Sequence, residues 1–227
     1  LLFWAKKGID AFRCDMAEMV PAEFWAYATE KVKSLYPKVQ FIAEVYTPNE
    51  YRHYIASGFD YLYDKVGLYD TLRAVITDGR SASCITGCWQ NIDDIRDHML
   101  NFLENHDEQR IASAYFAGDA RKALPALCVS AMMGNNPFMV YAGQELGEPG
   151  MDAEGFSGSD GRTTIFDYWS VSSLRKLTAA KPESEMNADE KYLYNYYKQV
   201  IHLCKTEAAL NDGNFYDCLL YTSDAAD

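Results

Sequence analysis

Short apolar segments alternate with amphipathic helical patterns along this 227-residue chain, and this alternation constrains the fold more than any other feature of the sequence. The apolar segments have the length and composition of buried strands and cover residues 9–14, 39–43, 59–63, 99–103 and 138–141. Parallel neighbours need a long crossover between them, usually a helix, so this order predicts an α/β fold with a parallel sheet. The sheet is either a doubly wound sheet or a (β/α) barrel.

The predicted helices lie between and after these strands, over residues 21–36, 48–57, 68–76, 92–99 and 119–133. The first of them has an apolar face formed by Phe24, Ala28, Val32 and Leu35. A last helix begins with a predicted capping box at Asn187 and Glu190. Its predicted apolar stripe consists of Leu193, Tyr196, Tyr197, Val200, Ile201 and Cys204.

A doubly wound sheet that binds a nucleotide has a glycine-rich turn after its first strand, whereas a barrel places functional residues after the carboxyl ends of several strands. No such turn follows the first predicted strand. Gly155, Gly158 and Gly161 have a motif-like spacing, but they follow no predicted strand directly. The motifs G-x-x-x-x-G-K-[ST], H-E-x-x-H and G-x-S-x-G do not occur. Nucleotide binding and serine hydrolysis therefore lack sequence support.

Composition argues against several other classes of protein. The formal net charge of −12 is unfavourable for contact with a phosphate backbone, so we expect no nucleic-acid partner. The longest nearly apolar segment, residues 123–133, is too short to span a bilayer. Cys84 and Cys88 lack a second nearby Cys or His pair, and we expect all six cysteines to be free thiols.

Ionisable residues follow three of the predicted strands. Arg13 and Asp15 lie at the end of the first strand, Glu44 follows the second, and His106 and Asp107 come shortly after the fourth. A single acid at such a position is usually a turn or capping residue. In a barrel, however, the carboxyl ends of the strands converge on one mouth, so these side chains are predicted to meet there.

The same segments carry a family resemblance. Residues 11–15 (AFRCD), 42–46 (IAEVY) and 102–110 (FLENHDEQR) resemble three of the four short motifs of the alpha-amylase superfamily, glycoside hydrolase family 13. The resemblance extends over residues 1–217 and includes the segments 141–145 and 158–169. It implies a partial (β/α)8 TIM barrel that contains the C-terminal five β/α units, strands four to eight.

The resemblance also suggests how the chain is divided. Residues 1–210 are expected to be the C-terminal part of the catalytic barrel, and residues 211–217 the start of a C-terminal β-domain. Residues 218–227, with the sequence CLLYTSDAAD, are expected to be a non-native tail. A piece with five strands has open edges, so we expect it to be inactive by itself.

Cleavage of a bond between sugars needs a proton donor and a carboxylate that attacks or screens the anomeric carbon. Asp15 lies two residues from Arg13, whose charge favours an ionised nucleophile, and Glu44 has apolar neighbours in sequence, which favour a protonated acid. The resemblance implies the same roles in a retaining mechanism. It further implies that Asp107 stabilises the transition state and that Arg13 and His106 bind substrate.

The sequence departs from the family where a Lys-His pair commonly follows the nucleophile, because this chain has Glu18 and Met19 there. We therefore predict no metal site at this loop and leave calcium dependence open. Asp152, Glu154 and Asp160 are predicted to form a solvated or substrate-facing rim rather than a ligand set. The chemistry itself is expected to need no cofactor.

The leading functional hypothesis is hydrolysis of alpha-1,4-glucosidic bonds in starch, glycogen or maltooligosaccharides. A transglycosylase of the same superfamily is the alternative, since it would use the same residues, and a non-catalytic carbohydrate-binding remnant is a third possibility. A sugar isomerase or aldolase would need a base and metal or a Schiff-base lysine at the mouth, and no lysine stands just after any predicted strand. The expected partner is an alpha-glucan or oligosaccharide substrate; oligomeric state and localisation stay open.

Overall fold

The computed structural model describes residues 1–150, 159–163, 171–211, 213 and 215–218, and its centre is an all-parallel sheet. The strands are β1 (Ala11–Cys14), β2 (Gln40–Ala43), β3 (Tyr61–Tyr63), β4 (Met99–Phe102) and β5 (Phe138–Met139). They pair in chain order, β1-β2-β3-β4-β5, and every pair is parallel. Each strand is shorter than its predicted segment but lies within it. The sequence-order pairing is that of a (β/α) barrel, and the described part of the chain is a partial barrel of this kind.

Helices connect successive strands and cover the outside of the sheet. The described α-helices are α1 (Leu2–Lys6), α2 (Ala22–Lys33), α3 (Tyr51–Ala56), α4 (Asp70–Thr77), α5 (Cys84–Asn91), α6 (Leu124–Met132), α7 (Ser172–Leu177), α8 (Pro182–Glu185), α9 (Ala188–Thr206) and α10 (Ala208–Asn211). Short 3-10 helices occur at Ala17–Met19, Pro48–Glu50, Arg96–His98, Ala120–Ala123 and Gln144–Leu146, and a π-helical turn at Lys65–Tyr69. Within the described ranges, no helix combines the length and apolar character that a bilayer crossing requires.

The apolar core lies on both sides of the strands, as expected for a parallel sheet. All four residues of β4 are buried. On the side of β1 and β2, Trp25 of α2 packs edge-on against Phe59 with ring centroids 5.2 Å apart, and Phe41 is fully buried. A second cluster contains Phe102 of β4 together with Leu127 of α6 and Tyr197 of α9.

The apolar face of α2 differs from the predicted one. The helix buries Ala22, Trp25, Ala28, Thr29 and Val32. The predicted face residues Phe24 and Leu35 are instead 49% and 61% exposed. The reason is that the indole of Trp25 enters the core and donates a hydrogen bond to the Ala17 carbonyl at 2.9 Å, and that Leu35 lies beyond the last helical residue.

The predicted helix over residues 92–99 is wrong. The helix in this region is α5, which ends at Asn91, and Met99 already begins β4. Gly87 and several Ser, Thr and Cys residues weaken the helical signal of this segment, but tertiary contacts such as Thr71 Oγ1 to Cys88 Sγ at 2.9 Å hold it in place. Cys84 and Cys88 therefore lie one turn apart on α5, and all six cysteines are free, as predicted.

The capping box of α9 is confirmed. Asn187 accepts from the backbone N–H of Glu190 at 2.9 Å, and the Glu190 carboxylate accepts from the N–H of Asn187 at 2.8 Å. The predicted stripe faces the core, with Leu193, Tyr197 and Val200 buried. The other members of the predicted stripe, Tyr196, Ile201 and Cys204, are partly buried.

Candidate active site

The first two acids lie side by side because of the register between β1 and β2. Cys14 pairs with Ala43 at the carboxyl ends of these strands, and the backbone N–H of Glu44 donates to the Cys14 carbonyl at 3.1 Å. Asp15 and Glu44 are the next residues along each strand. The register therefore brings both acids to the same edge of the sheet, as the sequence predicts.

One guanidinium contacts both carboxylates. Arg13 Nη1 donates to Asp15 Oδ1, and Arg13 Nη2 forms an ion pair with Glu44 Oε1 at 2.9 Å. Burial lowers the pKa of Arg13, but hydrogen bonds to Tyr63 and Asp15 and the charge of Glu44 outweigh it and hold the pKa above its ordinary value. Arg13 is therefore a permanent cation between the two acids.

The two carboxylates differ strongly in exposure. The side chain of Asp15 is 75% exposed, whereas that of Glu44 is 4% exposed. Their different accessibility is the asymmetry that two acids with different roles require.

The surroundings of Glu44 are polar, contrary to the apolar setting expected from its sequence neighbours. Its Oε2 accepts from the backbone N–H of Met16 at 2.8 Å, and its Oε1 accepts from the hydroxyl of Tyr46 at 2.8 Å. Successive side chains of an extended chain point to opposite sides, so the flanking Ala43 and Val45 are fully buried in the core and not packed around the carboxyl group.

The backbone is strained beside the nucleophile candidate. Met16, directly after Asp15, has φ 44° and ψ 46°, in the left-handed region. Among the described residues it is the only non-glycine residue with a positive φ. This conformation costs about 1–2 kcal/mol for a residue with a β-carbon. It turns the Met16 N–H toward Glu44, so the strain is tied to a contact in the site.

His106 and Asp107 lie in a turn after β4. The side-chain oxygen of Asn105 accepts from the backbone N–H groups of Asp107 and Glu108, both at 2.9 Å, which fixes the turn. His106 Nε2 lies 3.3 Å from Asp107 Oδ2. From the loop after β5, Arg162 Nε donates to the Asp107 carbonyl at 2.6 Å.

Tyr46 lies between this turn and Glu44. Burial raises the pKa of Tyr46 above its ordinary value, and the hydrogen bond to Glu44 together with the charges of Glu44, Asp107 and Glu108 raises it further. The Lys65 ammonium lies 6.0 Å from the centre of the Tyr46 ring and 3.3 Å from Glu108, which is next to Asp107 in the turn. The acids that follow β1, β2 and β4 converge on one region.

Comparison with known proteins shows which family the chain is similar to. A family model described as alpha amylase, catalytic domain, matches residues 1–168. The chain belongs to the alpha-amylase family. Alpha-amylase 3 of Dictyoglomus thermophilum is 24% identical over 234 residues, which cover 93% of this chain and 45% of that protein. A 47-residue match at 36% identity, 21% of this chain and 7% of the relative, links it to an alpha-1,4-glucan:maltose-1-phosphate maltosyltransferase of Myxococcus xanthus.

A solved structure supports the fold of this alpha-amylase family chain. The cyclic alpha-maltosyl-(1-->6)-maltose hydrolase from Arthrobacter globiformis, in complex with maltose, superposes with a TM-score of 0.69 at 21% identity. The superposition covers 92% of this chain and 43% of that structure. The chain spans less than half the length of the curated relatives reported above.

Two contacts in the site were missed at the sequence level. The Tyr63 hydroxyl accepts from Arg13 Nε at 3.4 Å, and the guanidinium lies 5.5 Å from the centre of the Tyr63 ring. Glu18 accepts from two backbone N–H groups of the segment that follows Glu44. Tyr63 is the last residue of β3, so its position at a strand end was a usable signal.

No lysine directly follows a described strand, but one lysine lies near a strand end. Lys65 comes two residues after the end of β3 and forms ion pairs with Asp70 at 2.9 Å and Glu108 at 3.3 Å. Burial lowers the pKa of Lys65, but the two acids outweigh burial and raise the pKa above its ordinary value. A Schiff base needs a neutral amine, so this charged lysine does not support an aldolase site in this alpha-amylase family chain.

Arg110 braces the loop after β4. Its Nη1 lies 2.8 Å from Glu104 Oε2, and both side chains are 1% exposed. Its Nε donates to Thr163 Oγ1 at 2.9 Å and its Nη2 to the Ala142 carbonyl at 2.8 Å. All its hydrogen-bonding nitrogens are directed to structural partners, which ties the loop after β4 to the loop after β5.

The metal prediction concerns loops that the structure describes only in part. Across residues 1–150, 159–163 and 171–211, no group of three or more His, Cys, Asp or Glu side chains has an arrangement that could hold a metal ion. Asp160 forms an ion pair with Arg162 at 3.2 Å. The other predicted rim residues, Asp152 and Glu154, lie outside the described residues, as do most of residues 218–227.

Proposed function

We propose that this chain carries the catalytic carboxylates of a retaining glycoside hydrolase that cleaves alpha-1,4-glucosidic bonds of starch, glycogen or maltooligosaccharides. The main support is the contact of one Arg13 guanidinium with both Asp15 and Glu44. Retaining enzymes hold their two carboxyl groups about 5–5.5 Å apart. The adjacent terminal nitrogens of one guanidinium favour a separation in this range over the wider one of inverting enzymes.

In the first step, the exposed carboxylate of Asp15 attacks the anomeric carbon. The bond between that carbon and the glycosidic oxygen breaks, and Glu44 gives its proton to the leaving oxygen. The product is a glycosyl ester of Asp15, and Glu44 is then a carboxylate.

In the second step, Glu44 takes a proton from a water molecule, whose oxygen attacks the anomeric carbon. The ester bond to Asp15 breaks and the sugar leaves with its original anomeric configuration. Glu44 has regained the proton that it donated, so the cycle is closed without a cofactor.

Asp107 is proposed to stabilise the positive charge that develops on the sugar ring, and Arg13 and His106 to bind sugar hydroxyls. The region contains four acids, Asp15, Glu44, Asp107 and Glu108, and two cations, Arg13 and Lys65, pair with three of them. A negative site suits an oxocarbenium-like transition state. Because the chain spans less than half of its relatives, we propose that it works as part of a barrel with eight strands.

The test uses the full-length protein that carries this chain, with maltoheptaose as substrate. Asp15→Asn should remove nearly all cleavage, and Glu44→Gln should lower kcat/KM by about 10²–10⁴-fold, the usual contribution of a general acid. Asp94→Asn, an exposed acid paired with Arg52 far from the site, is the matched control and should be unchanged. Near-normal turnover by either active-site variant would refute the assignment.

Glucanotransfer is a second candidate, which the short match to a maltosyltransferase favours. A transferase would use the same carboxylates but would pass the glycosyl group from Asp15 to a sugar hydroxyl and exclude water. Analysis of the products from maltoheptaose distinguishes the two, since a transferase forms longer chains as well as shorter ones. Binding of maltoheptaose without any turnover would instead favour a non-catalytic carbohydrate-binding role.

A further inference from the structure

Glu18 connects the loop after β1 with the segment after β2. Its Oε2 accepts from the backbone N–H groups of Tyr46 at 3.2 Å and Thr47 at 3.1 Å. Two consecutive N–H groups on one carboxylate oxygen fix the path of the chain just after Glu44. A lysine, which the family resemblance leads one to expect near this position, has no acceptor and could not make these bonds.

The side chain of Tyr46 extends from this segment to the carboxyl group of Glu44. Its hydroxyl donates to Glu44 Oε1 at 2.8 Å. Because burial and the neighbouring acids raise the pKa of Tyr46, the hydroxyl keeps its proton over the whole neutral range. It is therefore a constant donor to Glu44, and its position depends on the backbone that Glu18 holds.

We propose that Glu18 and Tyr46 are a pair of positioning residues that orient the carboxyl group of Glu44 for proton transfer. The inference rests on the proposed role of Glu44 as acid and base. Glu18 acts through the backbone of Tyr46, and Tyr46 acts through its hydroxyl. Neither residue reacts with the substrate.

The test compares two substrates of the full-length protein that differ in their need for an acid. Cleavage of maltoheptaose expels a sugar alkoxide, which needs a proton, whereas alpha-maltosyl fluoride expels fluoride, which needs little protonation. Tyr46→Phe should lower kcat/KM on maltoheptaose by about tenfold to a hundredfold, part of the usual contribution of a general acid. On the fluoride the loss should stay below about twofold.

The Glu18 variants extend the test and cover the case in which Tyr46→Phe does not fold. Glu18→Ala and Glu18→Lys should show the same selective loss on maltoheptaose, and Glu18→Gln, which keeps an acceptor oxygen, should recover most of the activity. Tyr196→Phe and Glu50→Gln are controls that remove a hydroxyl and a charge elsewhere. They should leave kcat/KM on both substrates unchanged.

Equal losses on the two substrates would show a merely structural role and overturn the proposal, as would unchanged activity on maltoheptaose. The outcome for Glu44→Gln separates this proposal from the proposed function. If Glu44→Gln retains normal turnover of maltoheptaose, the assignment of Glu44 itself fails. If it abolishes turnover while the Glu18 and Tyr46 variants are normal, only the positioning role fails.

Discussion

Replacement of Arg110 by methionine should destabilise the fold more than any exposed ion-pair change, because it leaves the buried carboxylate of Glu104 without its cation. The two side chains are each 1% exposed and lie 2.8 Å apart. Removing one partner of a buried ion pair costs about 3–5 kcal/mol. The substitution also leaves Thr163 Oγ1 and the Ala142 carbonyl without the donors they have in the parent. We therefore expect a loss of about 4 kcal/mol in the free energy of unfolding at pH 8.

The loss should depend on pH in a defined direction. Burial already raises the pKa of Glu104, and the charge and hydrogen bond of Arg110 oppose this rise. Without Arg110 the folded-state pKa moves higher still, so the variant gains relative stability as the pH falls toward the ordinary pKa of a glutamate, about 4.3. The stability difference between parent and variant should therefore be largest at pH 8 and smaller at pH 4.5.

Urea unfolding at both pH values measures these differences, with Glu104→Gln/Arg110→Met as the compensated variant. The double variant removes both charges and should recover part of the stability lost in Arg110→Met at pH 8. Arg52→Met, which breaks an exposed pair with Asp94, is the control and should have no measurable effect. A loss below about 1 kcal/mol in Arg110→Met, or a loss that is the same at both pH values, would refute the reasoning.

Two further changes test other parts of the fold. Burial raises the pKa of Asp64 to about 6, although backbone hydrogen bonds from Leu68 and Gly67 lower it. Because this pKa is higher in the folded than in the unfolded state, the parent should lose stability as the pH rises from 4 to 6. Asp64→Asn should lack this loss and exceed the parent by up to about 3 kcal/mol above pH 7 in urea unfolding; parallel pH curves would contradict this. Asn187→Ala should remove the cap of α9 and cost about 1 kcal/mol in thermal unfolding, whereas Asn187→Asp keeps an acceptor and should cost less. Equal losses in the two Asn187 variants would show that the cap is not the cause.

Sequence patterns predicted the features that depend on neighbouring residues along the chain. The five strands are local apolar segments, and the capping box of α9 needs only Asn187 and Glu190 at the right spacing. The convergence of Asp15 and Glu44 also follows from local information, because each directly succeeds a strand and parallel neighbours end at one edge.

The features that the sequence did not predict depend on contacts between distant segments. The buried face of α2 is set by Trp25, whose indole reaches Ala17, and α5 forms because Cys88 and its neighbours pack against α4. The polar surroundings of Glu44 come from Met16, on another loop, whose strained backbone directs its N–H to the carboxyl group. The spacing of apolar residues along the chain contains none of this information.

Three cations join successive strands at the mouth of this half-barrel, and together they explain why the acids stay close despite their mutual repulsion. Arg13 connects the acids after β1 and β2, Lys65 connects the end of β3 with Glu108 after β4, and Arg110 connects Glu104 with the loop after β5. Arg13 lies within the last two residues of β1, and Lys65 lies two residues after the end of β3. A basic residue in such a position, next to acids that end the neighbouring strand, is therefore a signal of convergence in its own right, and here it would have pointed to Lys65 as well as to Arg13.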